Sequence, residues 1–161
     1  KNPQAPARCT NLYLVHDERY ISPYQRHARK QIDIFEATET DIQSSAQGRN
    51  RPIILRQVGI RCRHCGKLPS RQRAKGAMFF PSQMVGLYQT AQNLANTHLV
   101  KDCFEIPKAI REDLIRVRKN EKGSSTRKSA YVYGRGRHYW ASCLRAMGVV
   151  DTPDRRLRFS G

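Results

Sequence analysis

The sequence predicts an α+β protein in which short strands and a cysteine-bearing knuckle pack with about four helices and carry basic arms. Three observations lead there. A stretch rich in branched residues at 53–60 and a second short strand-like stretch at 77–80 flank a Cys-x2-Cys pair. Apolar residues recur at helical spacing over 22–37, 82–98, 106–118 and 138–147. A hydrophobic content of 39% over 161 residues supports one sizeable core, and suits one domain with arms better than two.

Residues 1–21 read as an N-terminal arm. Pro3 and Pro6 keep its first part extended, and Leu12, Leu14 and Val15 suit a short strand. The polar opening Lys1-Asn2-Pro3, without Met, reads as an excerpt of a longer chain. A core is expected over 22–118. Ser22-Pro23-Tyr24-Gln25 is a helix start, with Ser as N-cap, Pro at the first helical position and Gln closing a capping box. Tyr24, Ala28, Ile32 and Phe35 continue that helix to about residue 37, with Arg26, Arg29 and Lys30 largely off the apolar stripe. The polar stretch 38–48 suits one more helical turn. The strand at 53–60 leads into the Cys pair, 66–76 forms a basic loop, and 77–80 is a second strand. Pro81-Ser82 opens a helix with Met84, Leu87, Ala91, Leu94, Ala95 and His98 on one face. Ile106-Pro107 opens the next, burying Ile110, Leu114 and Val117 and turning Lys108, Arg111, Arg116 and Arg118 to solvent. Over 119–137 the composition shifts to Lys, Arg, Ser and Gly, which predicts a flexible basic segment. Residues 138–161 supply a last helix, burying Tyr139, Trp140, Cys143, Leu144 and Met147, and a basic tail that packs on the core.

Charge narrows the class of partner. Thirty Lys and Arg stand against 13 Asp and Glu, a net charge of +17 with a pI near 10.3. Such an excess repels itself unless it meets a polyanion, and nucleic acid is the commonest one. A merely soluble surface and an anionic membrane face are the alternatives. No segment approaches the roughly 20 apolar residues of a membrane helix, which excludes a helical integral membrane protein.

Five cysteines, an odd number with one tight pair, do not resemble a secreted disulfide framework and predict a reducing compartment. Cys62-x2-Cys65 suits either a redox dithiol or half of a metal site, and a second ligand pair downstream decides between them. His98-x4-Cys103 offers that pair. Zinc accepts sulfur and imidazole nitrogen in four-coordinate geometry, and four protein ligands leave no open position, so Cys62, Cys65, His98 and Cys103 predict a structural Zn2+. His64, inside the knuckle, is expected to point away. His138-x4-Cys143 has the same spacing, but Cys143 lies on an apolar stripe and reads as core; with Cys9 and His16 these residues leave a second site open.

The Cys pair, a strand, and then Leu94-x3-His98-Leu99-x3-Cys103 resemble, over residues 58–103, the BED-type zinc finger and its two-Cys, two-His relatives. The resemblance implies bound zinc and DNA contact through the helix and nearby basic residues.

Three basic groups are candidates for holding nucleic acid. The first is the knuckle and its loop: Arg61, Arg63, Lys67, Arg71, Arg73 and Lys75. The second is Lys119, Lys122, Arg127 and Lys128, in Gly/Ser-rich sequence typical of an arm that orders on a backbone. The third is Arg135 and Arg137 in Gly134-Arg135-Gly136-Arg137, which if extended can enter a narrow minor groove. Asp33, Glu36, Glu39 and Asp41 are more simply read as a helix surface or cap than as a nuclease centre, and no Walker loop, dinucleotide fingerprint or nucleophile elbow is present. The sequence therefore predicts a zinc-stabilised, non-enzymatic module that binds nucleic acid, duplex DNA rather than RNA, in a nuclear chromatin or transcription setting. An RNA- or ribosome-associated zinc protein and a protein-interaction zinc module are the alternatives.

Overall fold

A computed structural model describes residues 5–44, 51–122 and 135–161. It has the expected α+β class. Its centre is a four-stranded antiparallel sheet, β1 (Cys9–Asn11), β2 (Ile32–Glu36), β3 (Val58–Cys62) and β4 (Met78–Phe79), with neighbours in space following chain order. Helices α1 (Asp17–Tyr20) and α2 (Pro23–Arg29) lie between β1 and β2, and α3 (Glu39–Ser44) follows β2. After β4 comes a helical run, α4 (Leu87–Asn93) continuing into a π-helix over Leu94–Asp102, and then α5 (Lys108–Lys122). Helix α6 (Arg135–Ala146) and a hairpin of β5 (Val149–Asp151) and β6 (Leu157–Phe159) complete the chain.

The start of α2 follows the sequence signal: Ser22 Oγ accepts from Gln25 N at 3.2 Å, and Pro23 holds the first helical position. Its end does not. The helix expected to reach residue 37 stops at Arg29, and Ile32–Glu36 is a strand paired on both sides. All five residues of β2 are buried, and its polar residues Asp33 and Glu36 stand three apart, which breaks the two-residue alternation of a half-exposed strand, while Ile32 and Phe35 extend the spacing of Tyr24 and Ala28. Asp33 and Glu36 thus belong to a central strand, not to a helix surface.

Other expectations are corrected as well. The strand in the N-terminal arm is Cys9–Asn11, just upstream of the apolar Leu12, which is itself fully buried. In the 53–60 stretch only Val58 onward pairs in the sheet, because Arg56 turns the chain at φ 70°. The segment read as flexible over 119–137 is helical at both ends, through Lys122 and from Arg135; Arg127 and Lys128 lie outside the described residues. Arg135-Gly136-Arg137 is the first turn of α6, so the extended form needed for groove insertion is not the one adopted. The C-terminal tail is the β5–β6 hairpin, whose Leu157 and Phe159 are buried.

One apolar core joins these elements. Leu12, Ile21, Ile60, Leu87, Leu94, Leu99, Leu114, Trp140 and Leu144 are essentially inaccessible within it, and Cys62, Cys65 and Cys103 belong to the same cluster. A buried ion pair fastens α1 to α2. Arg29 Nε lies 2.7 Å from Asp17 Oδ2, and both side chains have zero exposure. The Arg29 guanidinium sits 4.4 Å over the Trp140 ring and donates to Leu12 O at 2.8 Å, while Tyr139 Oη donates to Asp17. Helix α6 therefore closes over a charge that pairing, a backbone acceptor and an aromatic face all compensate.

Candidate metal centre

Strand β3 delivers Cys62 at its last position, and the chain turns at once. Gly66 N donates to Cys62 O at 2.8 Å and Leu68 N to Cys65 O at 3.0 Å, so both cysteines sit in one tight knuckle. Only glycine fits at 66: a Cβ there would lie 2.4 Å from Cys62 O and 2.8 Å from Arg61 Cδ. His64 N donates to Cys62 Sγ at 3.4 Å, while the His64 ring turns outward to Gln31 Oε1 at 2.8 Å, away from the cluster as expected.

The second pair comes from the π-helix. In an α-helix, residues five apart point about 140° apart. The wider i→i+5 winding brings His98 and Cys103 nearer one face, and Cys103 N donates to His98 O at 2.8 Å. Arg111 on α5, expected at the solvent side, instead donates from Nε to Leu99 O at 3.2 Å and through Nη2 to Cys103 O. It thereby satisfies carbonyls that the end of the π segment leaves open.

All four ligand atoms lie within 4.8 Å of one another, and all four residues are buried. Cys62 Sγ and Cys103 Sγ are 3.8 Å apart, and Cys65 Sγ is 3.2 Å from His98 Nε2. Two sulfurs bound to one zinc at about 2.3 Å in a tetrahedron stand about 3.8 Å apart, which is the separation of Cys62 Sγ and Cys103 Sγ. The cysteines form no disulfide. With four donors converging, this is a cluster able to hold a metal, which a bare dithiol would not require.

Protonation of the cluster follows the same logic. Hydrogen bonding from the Cys65 thiol, helped by His98 and opposed by burial, pulls Cys62 down to about 4. Sharing that bond with the Cys62 thiolate pushes Cys65 up, with burial and the Cys62 charge adding to the effect. Burial and the Cys62 charge raise Cys103 too. These shifts favour a single thiolate in the metal-free cluster, and a divalent cation, if bound, would offset the charge of the other two.

Among the described residues this is the sole such group of three or more His, Cys, Asp or Glu side chains. The alternative second site is not assembled: Cys143 is buried on α6, and exposed Cys9 lies against Asp33 Oδ2 at 3.8 Å and Arg61 Nη2 at 3.4 Å.

The basic residues divide by role. Arg63, Lys67, Arg71 and Lys75 are exposed around the knuckle. Arg61 stacks at 4.3 Å over the Phe35 ring, and Arg73 Nη1 donates to Gly66 O at 3.2 Å, so both shape the knuckle as well as charging it. Lys119 is exposed on α5 and Arg137 on α6, remote in sequence from the knuckle. Lys75 O, 2.9 Å from His98 Nδ1, and Arg111 are the contributors that sequence reasoning missed; a backbone carbonyl leaves no residue-type signal, and Arg111 looked like one more surface charge.

No helix among the described residues is long and apolar enough to cross a membrane. Compared with protein-family models, curated proteins and solved structures, the chain has no significant match in any of the three. Fold and site together define an α+β protein built around a buried Cys3His cluster able to hold a metal ion.

Proposed function

We propose that the protein is a zinc-stabilised module that binds nucleic acid, with duplex DNA as its partner in a nuclear, reducing setting. Cys62, Cys65, His98 and Cys103 would hold the zinc, which when bound supplies folding free energy and offsets thiolate charge. Four protein donors leave no place for a reacting water, so the reading makes the zinc structural and the protein a binder, not an enzyme. Its acidic residues fit this view. Asp41 caps α3 through Thr38 N, Asp33 accepts from Asn11 Nδ2, and Glu36 pairs with Arg56, so these carboxylates serve the fold separately.

One observation carries the reading. Exposed Arg63, Lys67, Arg71 and Lys75 ride on a segment tied to the cluster at both ends, by the knuckle cysteines and by the Lys75–His98 contact. Side chains on an ordered loop lose less freedom when they meet phosphate than those on a free arm. The +17 charge supplies long-range attraction that is not sequence-specific.

The test is filter binding of duplex DNA, single strands and structured RNA across a salt series, with zinc-loaded and chelated protein. Zinc-loaded protein should prefer the duplex, and its affinity should fall by about 10³–10⁵ between 50 and 200 mM salt if roughly six to ten phosphates are neutralised. Salt-insensitive binding, no binding at low salt, or a preference for RNA would overturn the reading.

A further inference from the structure

We infer that the cleft between α3 and the metal loop seats a phosphate group, and that in the DNA complex this is a backbone phosphodiester. The inference rests on the DNA reading and gives it an address. The cleft has a volume of about 450 Å³, within the range of roughly 300–1,000 Å³ usual for small-ligand sites. Arg61, Lys67 and Arg73 line it, and none of the three makes an ion pair among the described residues.

The single carboxylate among the described lining residues is Asp41. Its Oδ2 caps α3, accepting from Thr38 N at 2.8 Å and Thr38 Oγ1 at 2.9 Å, and it forms no ion pair with the three cations, so three positive side chains against one carboxylate leave the lining with a positive excess. Thr40 and Ser70 add hydroxyl donors at the wall, and Leu68 with Pro69 gives an apolar side against which a deoxyribose can lie. A larger groove of about 610 Å³ near α6 has Arg137 as the one charged residue among its described lining residues, which is why the smaller cleft is the better phosphate site.

The grip is also prearranged. The Phe35 ring backs the Arg61 guanidinium, Arg73 is held by Gly66 O, and a guanidinium keeps further N–H donors for a planar approach to phosphate oxygens. Because Gly66 belongs to the knuckle, metal loading and the shape of this wall are linked.

The experiment titrates inorganic phosphate into zinc-loaded protein at low ionic strength while following the arginine Nε–H resonances by NMR, with salt-dependent duplex binding measured in parallel. Saturable shifts at Arg61 and Arg73, abolished by Ser70→Glu and unaffected by Lys108→Gln on the exposed face of α5, are expected. Lys67→Gln should reduce the slope of log affinity against log salt on duplex DNA by about one. Zinc content verifies that each variant is folded; should Ser70→Glu lose its metal, the exposed Lys67→Gln decides. Unmoved Arg61 and Arg73 resonances, or a Lys67→Gln slope equal to wild type while DNA still binds, overturns the cleft and leaves the DNA reading standing. Phosphate shifts in a protein that fails to bind DNA support the cleft as a site for free phosphate and overturn its assignment to a phosphodiester.

Discussion

The Nδ1 atom of His98 lies 2.9 Å from the carbonyl oxygen of Lys75, 23 residues earlier in the chain. A carbonyl can only accept, so Nδ1 carries the proton and Nε2, 3.2 Å from Cys65 Sγ, is left as the ligand atom. The contact fixes both the tautomer of a buried histidine and the end of the basic loop. A long-range nitrogen–proton NMR spectrum of zinc-loaded protein should show His98 protonated at Nδ1 and shifted by metal at Nε2; a proton on Nε2 would contradict it.

Gly66 and Gly86 should respond oppositely to alanine. At 66 a Cβ would collide with the Cys62 carbonyl, and flexible side chains cannot relieve a clash with backbone. Gly66→Ala should cost about 2–3 kcal/mol, the upper part of the usual range for point changes, and weaken metal retention. Gly86, with nothing within 4 Å and right-handed helical angles, should gain about 0.5–1 kcal/mol as alanine. Denaturant midpoints of zinc-loaded proteins check both.

Asp17 and Arg29 should couple strongly. Removing one partner strands the other at zero exposure, so Asp17→Asn and Arg29→Met should each cost about 3–5 kcal/mol. The double variant should cost much less than their sum. Additive losses in a double-mutant cycle would show that the pair contributes nothing jointly.

His27 predicts an acid-side loss of stability. Burial lowers its pKa below the usual 6.5, outweighing the pull of Asp113, whose Oδ2 is 3.0 Å from Nε2. A depressed value means that the unfolded chain binds the proton more readily, so stability is full above 6.5 and is lost as pH falls through the folded value. His27→Gln should flatten part of the stability slope below pH 6.5 relative to wild type, measured by urea unfolding. Superimposable slopes would contradict it.

What the sequence disclosed depended on how local the signal was. The Ser22-Pro23 cap and the four ligand positions could be read because residue type and spacing carry them directly. Strand β2 could not, because its buried polar residues Asp33 and Glu36 stand three apart and so do Ile32 and Phe35, a spacing that a helix also satisfies. The β5–β6 hairpin, with three residues in each strand, is too short for a period to register. Arg111 and Arg29 carry the charge of surface residues. Only the fold shows one capping the π segment and the other buried against Trp140. The π winding between His98 and Cys103 likewise has no composition signal, although the x4 gap is what it accommodates.

X-ray absorption at the zinc edge, on protein purified without added metal, tests the central claim most directly. One zinc per chain is expected, with three sulfur neighbours at about 2.3 Å and one imidazole nitrogen at about 2.0–2.1 Å. Absence of stoichiometric zinc, or a shell of mostly oxygen and nitrogen, would contradict the account.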